Sequence, residues 1–240
     1  MIGDGNPKIC VPMTGRTEEE ILVQAEQTAE AKPDLVEWRA DLFEGAGDPS
    51  KVRSMFVGIS EILQEVPLLF TYRSRQEGGE GEASDEVYAG ILRDAANCRE
   101  PALIDMEIRH AEIDAAELTA ELQHHGKIVI ASAHDFSRTF SERELDVLLN
   151  GLCSSGADML KIAMMPGTAE DVLRLLTWTE KSVRKLDRPL ITMSMGDMGK
   201  ISRISGELTG SAVTFATVCG TSAPGQIPIG KLRAILAQLR

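Results

Sequence analysis

Eight short apolar runs, each followed by a longer stretch with helical spacing, fill the 240 residues of this chain in strict alternation. The runs cover residues 8–13, 34–40, 67–73, 102–108, 127–134, 157–166, 189–195 and 212–218. The helical stretches open near residues 17, 48, 85, 141 and 168, with one ending near 124, a short one over 202–208 and a last one over 231–239. Strands alternating with helices imply a parallel sheet, because each helix carries the chain back to the starting edge. Eight such units in this length fit a closed (β/α)8 TIM barrel forming one catalytic domain over residues 1–240, in which function sits at the C-terminal strand ends. The rival, a doubly wound open sheet, would most simply carry a glycine-rich turn after an early strand, and no G-x-G-x-x-G occurs.

Local signals support the boundaries. Thr17 with Glu20, and Thr168 with Asp171, have the spacing at which the residue capping a helix and the residue three further on exchange hydrogen bonds. Ile21, Ala25 and Ala29 supply an apolar stripe, and Gly126 and Gly156 stop helices before the fifth and sixth strands. His124 and His125 end one of these helices, where positive charge complements the helix dipole, and read as caps rather than ligands.

A net charge of -12 argues against nucleic acid and against anionic membrane surfaces. It leaves room for a small anion held by a few focused arginines. No run reaches membrane-spanning length, and the first residues lack the apolar core of a secretion signal. Cys10, Cys98, Cys153 and Cys219 lack metal-ligand spacing, so a reducing cytoplasm is the expected compartment. No His-x-x-x-His or comparable metal spacing appears, and no Gly-x-Ser-x-Gly elbow.

The informative residues are polar ones that interrupt the apolar runs. Leu35, Glu37 and Arg39 alternate onto one face of a strand, as do Asp105 and Glu107 on another. Arg73, His134, Lys161 and Met195 fall at or near strand C-termini, which would ring one mouth of a closed barrel. Lys161 lies in an otherwise apolar strand, and desolvation favours the neutral amine, the form that attacks a carbonyl. Each residue also has a plain alternative: Lys161 snorkelling to solvent, Glu37–Arg39 as an internal ion pair, His134 as a satisfied buried imidazole, Arg203 as a surface residue. The loop over 74–82 is glycine-rich and acidic and reads as flexible.

Taken in order, Glu37-Trp38-Arg39, Phe70-Thr71-Tyr72-Arg73-Ser74 with Glu77-Gly78-Gly79, Ser132-Ala133-His134-Asp135-Phe136 and Lys161-Ile162-Ala163 resemble the type I 3-dehydroquinate dehydratases. So do Met195-Gly196, Ser202-Arg203, Gly210-Ser211 and Ser222-Ala223-Pro224-Gly225-Gln226-Ile227. The resemblance spans nearly the whole chain. It departs at Pro12, where some members carry a hydroxyl, and at Ala133, where several carry a bulkier residue.

The resemblance implies a barrel, commonly a homodimer, that dehydrates 3-dehydroquinate to 3-dehydroshikimate in the shikimate pathway without metal or organic cofactor. Lys161 would form a Schiff base with the substrate ketone, His134 would be the general acid/base, and Glu77 would pair with it, on closure of its loop. Glu37, Arg39, Arg73, Arg203, Ser222 and Gln226 would bind substrate, with Arg203 on the carboxylate and Arg39 close enough to disfavour the Lys161 ammonium. The rivals are another Schiff-base lyase such as a class I aldolase, and a regulatory paralogue that binds without chemistry.

Overall fold

The computed structural model describes residues 2–3, 6–218 and 220–239; Cys219 lies outside them. The strands are β1 (Lys8–Met13), β2 (Leu35–Arg39), β3 (Leu68–Thr71), β4 (Leu103–Glu107), β5 (Ile128–Asp135), β6 (Met159–Met164), β7 (Leu190–Ser194), β8 (Val213–Thr217) and β9 (Ile227–Pro228). They form one parallel sheet in the order β7-β6-β5-β4-β3-β2-β1-β8-β9. The helices are α1 (Glu18–Ala31), α2 (Pro49–Leu63), α3 (Asp85–Ala96), α4 (Ala115–His124), α5 (Glu142–Ser154), α6 (Ala169–Val183), α7 (Lys200–Ile204), α8 (Gly206–Thr209) and α9 (Ile229–Gln238). No helix among the described residues is long and apolar enough to cross a membrane.

The expected alternation is present, with two local differences. The stretch expected as one helix over 202–208 is divided into α7 and α8 at Ser205. The loop expected between β8 and the last helix contains β9, which pairs with β8 and lets α9 start at Ile229 rather than 231. Reciprocal caps start α1 at Thr17, α5 at Ser141 and α6 at Thr168.

Alternation along the strands separates two environments. Val36, Trp38, Phe70, Ile104, Met106, Val129, Leu160 and Ile162 pack against the helices, where Trp38 meets Phe56 edge-on at 5.2 Å. The opposite face begins apolar on each strand, with Leu35, Leu69, Leu103, Ile130 and Met159 in one cluster. Two residues further along, each of these strands turns polar, to Glu37, Thr71, Asp105, Ser132 and Lys161, all buried. That shift from apolar to charged within a single face builds the site. Beside β8, the Ala212 N–H donates to the Leu190 carbonyl at 2.8 Å, and the Ser211 hydroxyl accepts the Thr192 N–H at 3.0 Å.

Candidate active site

The polar ends of the strands open into a cleft with about 430 Å³ of empty space, counting the part open to solvent. Glu37, Arg39, Arg73, His134, Lys161, Arg203, Ser222 and Gln226 all line it, together with Phe136, Met193 and Phe215. The remaining sequence candidate, Glu77, stands behind His134.

Lys161 is 3% exposed, which excludes snorkelling. Its Nζ lies 2.9 Å from Asp105 Oδ2 and 3.6 Å from Glu37 Oε1, and 4.8 Å above the centre of the Phe215 ring. The expected like-charge contact with Arg39 is replaced by these carboxylates. Arg39 turns instead to Asp41, which a 3-10 turn at Ala40–Leu42 folds back beneath it, and forks onto both its oxygens at 2.7 Å.

The loop carrying Glu77 is folded rather than flexible. The Ser74 N–H donates to Glu107 Oε1, the Gly79 N–H to the Ser74 carbonyl, and the Gly81 N–H to the Arg73 carbonyl. A Cβ on Gly79 would stand 2.2 Å from that Arg73 carbonyl, so only glycine permits the approach. The turn buries Glu77 to 1% exposure and sets its Oε2 against both the backbone N–H of His134, at 3.0 Å, and the ring Nδ1, at 2.9 Å. The pairing expected on loop closure is therefore already made. Burial pushes the Glu77 carboxyl up to about 8 against the pull of Arg73. Burial, reinforced by Arg73 and Lys161, holds the His134 imidazole well below its usual value. A neutral imidazole anchored through Nδ1 leaves Nε2 able to accept a proton.

Arg73 lines the cleft with a guanidinium held by carboxylates. Its Nη1 donates to Glu107 at 2.9 Å and Ser132 at 3.1 Å, and its Nη2 to Asp105 at 2.7 Å. Glu107 also contacts His110, which bonds Asp85 and stacks on Tyr88 with ring centres 4.0 Å apart.

Arg203 has the opposite character. It is 2% exposed and, among the described residues, donates only to the Phe215 carbonyl at 3.3 Å and the Pro224 carbonyl at 3.0 Å, apart from a 4.0 Å approach to the Met193 sulfur, leaving Nε without a hydrogen-bond partner there. Burial lowers its guanidinium to about 10, and among the described residues no carboxylate offsets that cost. A cation in this condition is a site for a bound anion. Gln226 accepts the Ser222 N–H and donates to the Ser222 hydroxyl, so the two hold one turn of the covering loop.

Sequence reasoning missed Asp41, Asp105, Glu107 and Ser132 as parts of this arrangement. The signal for two of them was present, since Asp105 and Glu107 interrupt an apolar strand with the same spacing as Glu37 and Arg39. Phe215 and Met193 carried none, because an apolar lining residue reads as core.

These features define a class: a parallel α/β enzyme whose cleft combines an amine, an imidazole and a buried guanidinium that lacks a carboxylate among the described residues. The Type I 3-dehydroquinase family matches over residues 9–240. A 3-dehydroquinate dehydratase of Listeria welshimeri is 42% identical across 98% of this chain and 93% of its own length, and one of Klebsiella pneumoniae is 43% identical across 97% and 93%. Among solved structures, the type I 3-dehydroquinate dehydratase of Clostridium difficile with covalent modified comenic acid superposes with a TM-score of 0.95 at 38% identity, covering 99% of this chain and 94% of that one. The Geobacillus kaustophilus 3-dehydroquinate dehydratase gives 0.90 at 38% identity, covering 98% and 91%. The chain belongs to the type I 3-dehydroquinase family.

Proposed function

We propose that the chain is a 3-dehydroquinate dehydratase, converting 3-dehydroquinate to 3-dehydroshikimate and water in the shikimate pathway through a Schiff base on Lys161. The observation that carries this reading is the pairing, in one cleft, of a buried amine with a buried guanidinium that lacks a carboxylate among the described residues. A ring bearing both a ketone and a carboxylate needs those two groups.

The Lys161 amine gives a proton to His134 and attacks the ketone at C3; the imidazole returns that proton to the carbinolamine hydroxyl, which leaves as water and gives an iminium. That cation draws electron density from the neighbouring C2–H bond, so His134 Nε2 can remove the proton and leave an enamine. The enamine returns its electron pair as the C1 hydroxyl departs, protonated by the same imidazole, and hydrolysis frees the lysine. Because the iminium is the electron sink, the reaction needs no metal or organic cofactor. Glu77 orients the imidazole through Nδ1. Arg203 takes the carboxylate, Ser222 and Gln226 cover the ring, and Glu37, Arg39 and Arg73 set the polar floor under its hydroxyls. The Clostridium difficile relative, solved with covalent modified comenic acid, is consistent with covalent chemistry.

The same reading includes a closed (β/α)8 barrel of one domain over residues 1–240, supported by the hydrogen bonds from Ala212 and Ser211 across to β7. It also includes a homodimer, which the solution mass tests, and a reducing cytoplasm, consistent with free thiols at Cys10, Cys98 and Cys153.

The decisive experiment adds borohydride to enzyme and 3-dehydroquinate and weighs the protein. A substrate-dependent adduct, lost in Lys161→Ala, is expected. His134→Ala should still form adduct while enone formation slows by about 10²–10⁴-fold. Absence of both adduct and enone from the unmodified enzyme refutes the reading.

A further inference from the structure

We propose that Asp105 is the counter-ion of the Lys161 iminium, accepting its N–H and keeping the Schiff base protonated throughout the elimination. This rests on the Schiff-base reading above and adds a residue to it.

Asp105 reaches Lys161 across the sheet, from β4 to β6 with β5 between them. Its two oxygens have different tasks. Oδ1 is fixed by Arg73 Nη2 at 2.7 Å and the Ser132 hydroxyl at 2.6 Å. Oδ2 meets the Lys161 amine at 2.9 Å. The side chain is 1% exposed, so no water competes for that oxygen from bulk solvent. The other carboxylate near the amine, Glu37, is farther away at 3.6 Å and accepts the Thr71 hydroxyl at 3.0 Å.

Burial would raise the Asp105 carboxyl, but Arg73, Lys161, His134 and the Ser132 hydroxyl override it and hold the group well below the usual carboxylate range. Such a carboxylate is a poor base, so it does not remove the proton that the amine must lose before attack. Its use is electrostatic. The amine carries several hydrogens, whereas the iminium nitrogen carries one, and a fixed acceptor for that hydrogen fixes the plane of the C=N bond. Charge-assisted bonds of this kind are strongest where water is excluded.

The electron balance leaves Asp105 unchanged. When His134 takes the C2 proton, the C–H pair becomes the C2=C3 bond and the C=N π pair moves onto nitrogen, which stays bonded to hydrogen. When the C1 hydroxyl leaves as water, with the proton held by His134, the C2=C3 pair becomes the C1=C2 bond, the nitrogen pair re-forms C=N, and the cation again faces Asp105. A second positive charge, on Arg73, lies on the far oxygen of the same carboxylate and keeps it anionic while the nitrogen is transiently neutral.

The test follows borohydride trapping and kcat against pH in the unmodified enzyme, Asp105→Asn and Asp105→Ala. The unmodified enzyme should trap substrate evenly between about pH 6 and 9. In Asp105→Asn the adduct should form at the acid end and fade as pH rises, because the iminium loses its proton more easily. kcat at neutral pH should fall by roughly 10–100-fold, with a much smaller change in KM. Asp105→Ala leaves room for a small carboxylate, and added formate should restore trapping at the alkaline end; this variant also serves if the asparagine form does not fold. Trapping in Asp105→Asn with the unmodified pH dependence, or no response of Asp105→Ala to formate, overturns the counter-ion role and leaves the Schiff base standing. No adduct in the unmodified enzyme removes both.

Discussion

The Arg203 guanidinium donates to the Pro224 carbonyl at 3.0 Å, tying α7 to the loop that carries Ser222 and Gln226. One residue thus faces the cleft with an unpaired charge and holds its cover. Arg203→Ala should raise KM for 3-dehydroquinate by about 10–100-fold, the range for losing a hydrogen bond to a charged group. Steady-state kinetics check this, and an unchanged KM removes Arg203 from the carboxylate.

The same loop depends on one backbone position. Gly225 has φ +81°, and a Cβ there would stand 2.2 Å from the Gly196 carbonyl oxygen. Gly196 in turn donates its N–H to Pro224 at 3.1 Å. Gly225→Ala should displace the cover and raise KM by roughly tenfold, equivalent to about 1.4 kcal/mol of binding, with little change in melting temperature. A large loss of thermal stability at unchanged KM would contradict this.

Glu77 makes folding pH-dependent. Its carboxyl is near 4.5 in an unfolded chain and about 8 when buried here, so the folded state binds the extra proton between those values. The stabilisation is complete below the lower value and is lost as pH rises through the upper one. His134 is shifted the other way, and its cost appears only as pH falls through its unfolded value near 6.5, so it is silent above neutrality. Urea denaturation at pH 7 and pH 9 should therefore show the stability of the unmodified protein declining relative to Glu77→Gln. An equal difference at both pH values would disprove the assignment.

At the β7–β8 junction a side chain stands in for a strand partner. The buried Ser211 hydroxyl accepts the Thr192 N–H at 3.0 Å and donates to the Thr192 carbonyl at 3.3 Å. Ser211→Ala leaves that N–H without a partner and should cost about 1–3 kcal/mol by chemical denaturation. No loss of stability would show that the junction is not held there.

Much of this was readable in the residues. Strand positions followed from apolar runs, and the helix starts at Thr17 and Thr168 from side chains spaced to bond a backbone amide three residues on, while the same cap at Ser141 emerged only in the structure. Lys161 and His134 stood out because charge within an apolar strand is costly without a task. The turn at 74–82 was misleading for a physical reason. Glycine and glutamate in sequence signal flexibility, yet here glycine permits a close backbone approach and Glu77 finds a buried partner 57 residues away.

The sequence by itself determined which residues alternate onto the inner face of each strand, and that this face turns from apolar to charged along its length. It did so because side-chain direction in a strand is a local property of the backbone. Only the tertiary structure decided which charges meet: Lys161 with Asp105 rather than Arg39, Arg39 with Asp41, and Arg203 with no carboxylate among the described residues. Those choices depend on strand order, on stagger between strands and on a few ångströms of depth. In a buried site such distances separate a neutralised charge from one that awaits a substrate.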